Sequence, residues 1–141
     1  MITLKVSKRV QMALYIVLSL SLITGLMFFI LKTWFNIEGE FGIEKHPWQF
    51  PVLKIHAASA FAMMLFSGAM FASHVQFSWK TKRSRKTGIT LISIFSAQII
   101  TAYMLYYLSN DFARLITEYL HLAIGLSMPI ALFAHIILFR K

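Results

Sequence analysis

The sequence predicts an all-α membrane protein: a four-transmembrane-helix bundle with both termini cytoplasmic. Three observations carry that prediction. Apolar residues make up 58% of the 141-residue chain and the mean hydropathy is +0.69, far above the level of an ordinary soluble domain of this size. Those residues are gathered into four charge-poor runs, each able to supply the ~20 residues that a helix needs to cross a bilayer core ~30 Å thick. The Lys and Arg behind the net charge of +9 sit in short blocks between the runs, where they act as topology signals and not as a nucleic-acid surface.

The first span is placed at about 10–34. Val10 to Leu31 is free of charge and meets Lys32, Trp34 and Phe35, the mixture of cation and aromatic found at the headgroup border. Lys5, Lys8 and Arg9 before an apolar run resemble a signal peptide. The run is longer than such a segment needs and no small-residue cleavage site follows, so a retained span is expected. Asn36 to Pro51 holds three acids, two glycines and two prolines and reads as a loop, with an interfacial segment around Trp48 and Phe50.

The second span is placed at about 52–77, and Ser78 to Thr87 then packs Lys80, Lys82, Arg83, Arg85 and Lys86 into a short connection. The third span is placed at about 88–110, Asp111 turns the chain, and the fourth span is placed at about 113–139, with a kink expected at Pro129. Ten cations (Lys5, Lys8, Arg9, the five of the second connection, Arg140 and Lys141) fall on one side, against Lys32, Lys45, Lys54 and Arg114 on the other. By the positive-inside rule the first side is cytoplasmic. All five acids lie opposite it. No internal repeat or low-complexity tract is read, and residues 1–141 are expected to form one domain.

Cysteine is absent, which excludes disulfides, thiolate metal sites and covalent haem attachment. Histidine carries the chemistry. His56 and His74 on the second span are eighteen residues apart, five whole turns at ~100° per residue and roughly 27 Å of rise. Both imidazoles therefore share a face with Ala60, Met63, Ser67 and Met70. His121 and His135 on the fourth span are fourteen residues apart, about 40° short of whole turns and roughly 21 Å of rise, with Gly125, Met128 and Leu132 between them. Spans two and four run in the same direction, which pairs His56 with His121 toward the outer surface and His74 with His135 toward the cytoplasm.

Two imidazoles facing one another across a bundle can ligate one iron axially, so two pairs imply two haems. The intervals differ by four residues, roughly 6 Å of rise, a mismatch left to helix tilt or to the Pro129 kink. Lys54 or Arg114 outside, and Lys80, Lys82, Arg83 or Arg140 inside, are the candidate propionate contacts. A lone membrane histidine is more often an interhelical hydrogen-bonding residue. Four of them in two same-face pairs, absent from the other two spans, favour the ligand reading. His46, in Lys-His-Pro-Trp, is expected to be solvated.

The third span's Ser93, Ser96, Gln98, Thr101 and Tyr103, with Tyr106 and Tyr107, can serve a quinone headgroup or gate protons. Helix packing and the interface belt are the stronger expectation for them. Met63, Met64, Met70 and Met128 read as core filler.

At the paired His56, His74, His121 and His135 the sequence resembles the bacterial di-haem b-type membrane cytochromes, the group that contains formate dehydrogenase gamma subunits, hydrogenase cytochrome b subunits and superoxide oxidase. The resemblance covers the four-span layout of essentially the whole chain. The His121–His135 interval is similar to ligand helices of that group, and the wider His56–His74 interval departs from it. The resemblance implies an inner-membrane protein with two haems b as cofactors, passing electrons between the quinone pool and a periplasmic redox partner or other subunits of a respiratory complex. Two other classes compete with it: a cofactor-free membrane anchor or assembly subunit, and a small proton-coupled carrier that uses the histidines as a relay.

Overall fold

The computed structural model describes residues 6–80 and 85–140, with Phe139 and Arg140 described by backbone only. Helix α1 runs Lys8–Trp34, the strands β1 and β2 are Ile37–Gly39 and Gly42–Glu44, and α2 runs Gln49–Met70. A π-helical turn, Phe71–Val75, joins α2 to α3, Gln76–Lys80; α4 is Arg85–Tyr107 and α5 is Asp111–Arg140. Four stretches are long and apolar enough to cross a membrane, Lys8–Trp34, Gln49–Lys80, Arg85–Tyr107 and Asp111–Leu138. The chain is a multi-pass α-helical membrane protein.

Local chemistry explains where the helices start. The Ser7 hydroxyl accepts the Val10 N–H at 3.3 Å and caps α1, and the Asn110 Oδ1 accepts the Ala113 N–H at 2.9 Å ahead of α5. Both relieve first-turn donors that the helix itself leaves over. Helix α2 opens at Gln49, three residues before the span expected from the sequence, because Pro51 sits in the first turn, where its missing N–H costs nothing. His46 supports that start: its Nδ1 accepts the Trp48 N–H at 3.2 Å and its carbonyl accepts the Gln49 N–H at 3.0 Å. It is therefore a turn-forming residue, half-buried, and not simply a solvated one.

Two features differ from the sequence reading. The connection between the first two spans is a β-hairpin, with Ile37 opposite Glu44 and Gly39 opposite Gly42. Gly42 follows the two-residue turn at φ 115°, a conformation that L side chains rarely adopt. The second is the π turn at Phe71–Val75, which contains His74. Its i→i+5 bonding interrupts the even 100° step on which the same-face reading of His56 and His74 rests. Helix α5, by contrast, continues through Pro129.

The chain forms two compact units, Met1–Ala72 and Ser73–Lys141. In the first, α1 packs along α2; in the second, α4 packs along α5. Small polar residues are buried between the helices, among them Thr24, Ser59, Thr101 and Thr117, while Ile16, Leu65, Ile100 and Phe133 are exposed. This inverts the soluble pattern, as expected where lipid tails solvate apolar side chains and small residues allow close helix approach. The threonines are buried cheaply because each hydroxyl donates to a carbonyl four residues back: Thr24 to Leu20 at 2.7 Å, Thr101 to Ala97 at 2.9 Å and Thr117 to Ala113 at 2.8 Å. Trp79 and Arg85 mark a span border, with the Arg85 Nε donating to the Trp79 carbonyl at 3.1 Å and its guanidinium 4.9 Å from the indole centre.

The mouth of the first unit is tied by Gln49, which is buried and donates from Nε2 to the Leu31 carbonyl at 3.2 Å. Gln49→Leu keeps the volume and removes the donor, so it is expected to lower unfolding stability by about 0.5–1.5 kcal/mol. Phe61→Leu, at an exposed position, is expected to change it by less than about 0.5 kcal/mol. Circular dichroism in mixed micelles of increasing dodecyl sulfate fraction measures both.

The intramembrane histidines

His56 lies on α2, half-buried against α1. Its Nδ1 stands 2.9 Å from the Ser21 carbonyl and 3.5 Å from the Thr24 hydroxyl. A carbonyl only accepts, so Nδ1 carries the proton and the neutral ring keeps its lone pair on Nε2. Gly25 makes this approach possible, since a Cβ built there would lie 2.9 Å from the His56 Cε1. Ser21, Thr24 and Gly25 thus form the seat of one imidazole.

His121 is held in the second unit by a similar device. The Thr101 Oγ1 is 2.9 Å from the Ala97 carbonyl and 3.1 Å from the Gln98 carbonyl, and 2.9 Å from the His121 Nδ1. The Thr101 hydroxyl thus stands between two carbonyls of its own helix and the His121 Nδ1. On the other side of the ring the Gln98 side-chain amide nitrogen stands 3.0 Å from the His121 Nε2. Thr24 and Thr101 are equivalents: each is buried, bonds its own helix, and meets an imidazole from the next membrane-spanning helix.

His74 and His135 come together. Both belong to the unit Ser73–Lys141, and their ring centroids are 6.4 Å apart with the ring planes at 86°. The His135 Nδ1 is 2.8 Å from the Thr87 hydroxyl at the start of α4, and Gly88 lies alongside, a Cβ there falling 3.9 Å from the His135 Cε1. His56 belongs to the first unit and His121 to the second.

The candidate propionate contacts are less informative. Lys54 and Arg114 are exposed, and the Lys54 ammonium lies 4.4 Å from the centre of the Phe50 ring, one turn back on the same helix. Lys80 is exposed, while Lys82, Arg83 and the Arg140 side chain lie outside the described residues. Of the polar residues on α4, Gln98 and Thr101 serve His121, whereas Tyr103 and Tyr107 lie against one another, ring centres 4.6 Å apart and planes tilted by 39°, and are exposed. Among the described residues no group of three or more His, Cys, Asp or Glu can hold a metal ion. An axial haem pair needs only two.

No family model, curated protein or solved structure matches the chain.

Ser21, Thr24, Gly25, Thr87 and Gly88 were not singled out from the sequence. The Ser21-x-x-Thr24 and Gln98-x-x-Thr101 steps were the available signal, a polar pair repeated at equal spacing on the helix before each histidine helix. Gly25→Ala is expected to shift the His56 ring and to destabilise the protein by about 1–3 kcal/mol. Gly68→Ala, where nothing lies within 4 Å, is expected to be neutral or to stabilise by up to about 1 kcal/mol. Thermal unfolding of the two variants side by side, with the imidazole ¹⁵N shifts of His56, checks the contrast.

Proposed function

We propose that this protein is a transmembrane electron carrier of the bacterial inner membrane, a single four-helix domain that holds two haems b. The axial pairs are His56 with His121 toward the outer face and His74 with His135 toward the cytoplasm. The observation that carries the reading is the His74–His135 geometry, 6.4 Å between ring centroids with planes nearly perpendicular. Two imidazoles on opposite sides of one metal, each bound at about 2 Å with its ring centre about 1 Å beyond the nitrogen, have centres about 6 Å apart. The donor set fits as well, since neutral imidazole is a common axial ligand to haem iron.

The chain's own residues would do three things. Ser21 takes the Nδ1–H of His56, and so fixes the tautomer that presents Nε2 to a metal; Thr101 stands against the His121 Nδ1, and such outer partners also raise ligand basicity. Thr87, at 2.8 Å from the His135 Nδ1, orients the third ring. The apolar helix surfaces keep water away and lower the local dielectric. Haem iron, when bound, supplies a reversible one-electron couple whose potential follows its axial ligands and surroundings. His121 is the exception in this fit, because its Nε2 is engaged by Gln98.

Lys54 or Arg114 outside, and Lys80, Lys82, Arg83 or Arg140 inside, are proposed to meet the propionates. Both termini are assigned to the cytoplasm from the cation tally. Electron exchange with the quinone pool on one side and with a periplasmic redox protein or partner subunit on the other completes the reading.

A second reading has its own support. His56, His121 and His135 all make hydrogen bonds between helices, which suits a cofactor-free anchor or assembly subunit. A dithionite-reduced minus oxidised spectrum of the protein purified in detergent separates the two. The expected result is a b-type signal with two haems per chain by pyridine haemochrome. His74→Ala and His135→Ala each lose the same single haem, and His56→Ala and His121→Ala each lose the other. Colourless protein from haem-sufficient cells selects the anchor.

A further inference from the structure

We infer that the Thr87 hydroxyl sets the plane of the His135 ring across that of His74, so that a haem iron held by this pair has crossed axial imidazoles. The inference rests on the haem reading above and adds to it the angle between the ligand planes and the residue that fixes it.

A histidine rotamer leaves the ring angle loosely defined, because the last side-chain torsion of His has broad wells. A contact beyond the side chain has to fix it. For His135 that contact is the first turn of α4. The Thr87 Oγ1 stands 2.8 Å from the His135 Nδ1, and Gly88, next in the chain, faces the adjacent ring atom, a Cβ there falling 3.9 Å from the His135 Cε1. One edge of the imidazole therefore lies along Thr87 and Gly88. A hydrogen bond at a ring nitrogen runs in the plane of the ring and is strongest when straight, so the position of Oγ1 selects the ring angle. With Nδ1 on Thr87, Nε2 is the nitrogen left for a metal.

The ring so held stands at 86° to the ring of His74, with 6.4 Å between centroids. Thr87 and both histidines belong to the unit Ser73–Lys141. The start of α4 is tied in turn to the segment that carries His74, because the Arg85 Nε donates to the carbonyl of Trp79 in α3 at 3.1 Å.

The angle has an electronic consequence. An imidazole donates π density to the metal d orbital that lies perpendicular to its ring. Parallel rings raise the same orbital, whereas crossed rings raise one each and leave the two nearly equal in energy. Oxidised low-spin iron between crossed rings is therefore strongly anisotropic. Its electron paramagnetic resonance is dominated by a single low-field line, where parallel rings give a well-resolved rhombic signal.

The test uses the full chain in detergent, loaded with haemin and measured oxidised at low temperature. The wild type is expected to show a low-field line that His74→Ala and His135→Ala each remove. Thr87→Val removes the hydroxyl at nearly the same volume. It is expected to lose that line, either to a rhombic signal or together with the haem. Thr87→Ser keeps the hydroxyl and is expected to keep the line. Thr90→Val is the control: the Thr90 hydroxyl donates to the Lys86 carbonyl of its own helix at 3.0 Å, and its removal is expected to leave the line unchanged. An unchanged low-field line in Thr87→Val overturns the inference, as does loss of the line in monodisperse Thr87→Ser or Thr90→Val. A rhombic signal from the His74-dependent haem of the wild type overturns the inference alone. A wild-type chain that takes up no haem overturns the proposed function and this inference together.

Discussion

A polar atom inside the hydrocarbon layer can find its partner only in the protein, and this constraint orders the whole chain. Each unit answers it in the same way. A threonine on the first helix of the pair returns its proton to its own backbone and offers its oxygen side to the neighbouring helix. An imidazole on the second helix then meets that hydroxyl through its Nδ1. The helices can pack closely because the residues at those contacts are Thr, Ser and Gly, and large apolar side chains are left to the lipid. Helix association and histidine orientation therefore have a common origin.

The helices were legible in the sequence because the bilayer requires length and apolarity, and both are read by counting. Their starts were less so. Pro51 argued for a boundary after it, whereas the first turn of α2 tolerates it and Gln49 reaches back to Leu31. The hairpin was hidden because Ile37–Gly39 and Gly42–Glu44 are three residues each, too short for a period-two signal to stand out from a polar loop. His46 was read as solvated because nothing local to Lys-His-Pro-Trp shows that an imidazole will accept the Trp48 N–H.

The histidine readings divide in the same manner. That four imidazoles lie on two helices, at two depths each, follows from position alone. Which atoms hold them does not, since Ser21, Thr24, Gly25 and Thr87 are all more than thirty residues from the histidines they serve. The parallel between Ser21-x-x-Thr24 and Gln98-x-x-Thr101 went unread because a hydroxyl three residues after another polar side chain is ordinary in membrane helices. It gains meaning only when both threonines are found against an imidazole. Gln98 and Thr101, weighed singly as quinone ligands or packing residues, belong to one hydrogen-bonded set.

The π turn bears on the unequal histidine intervals. Counting residues overstates the number of α-turns between His56 and His74, because Phe71–Val75 closes i→i+5 bonds and a π bulge takes up about one extra residue. It also re-aims the one histidine that lies within it. The ring so re-aimed is the one found at 6.4 Å and nearly perpendicular to His135. Irregular turns of this kind cost backbone bonding and tend to persist where a side chain must be placed off the regular helical step. The departure from α geometry and the meeting of two imidazoles therefore fall at the same point of the chain, His74.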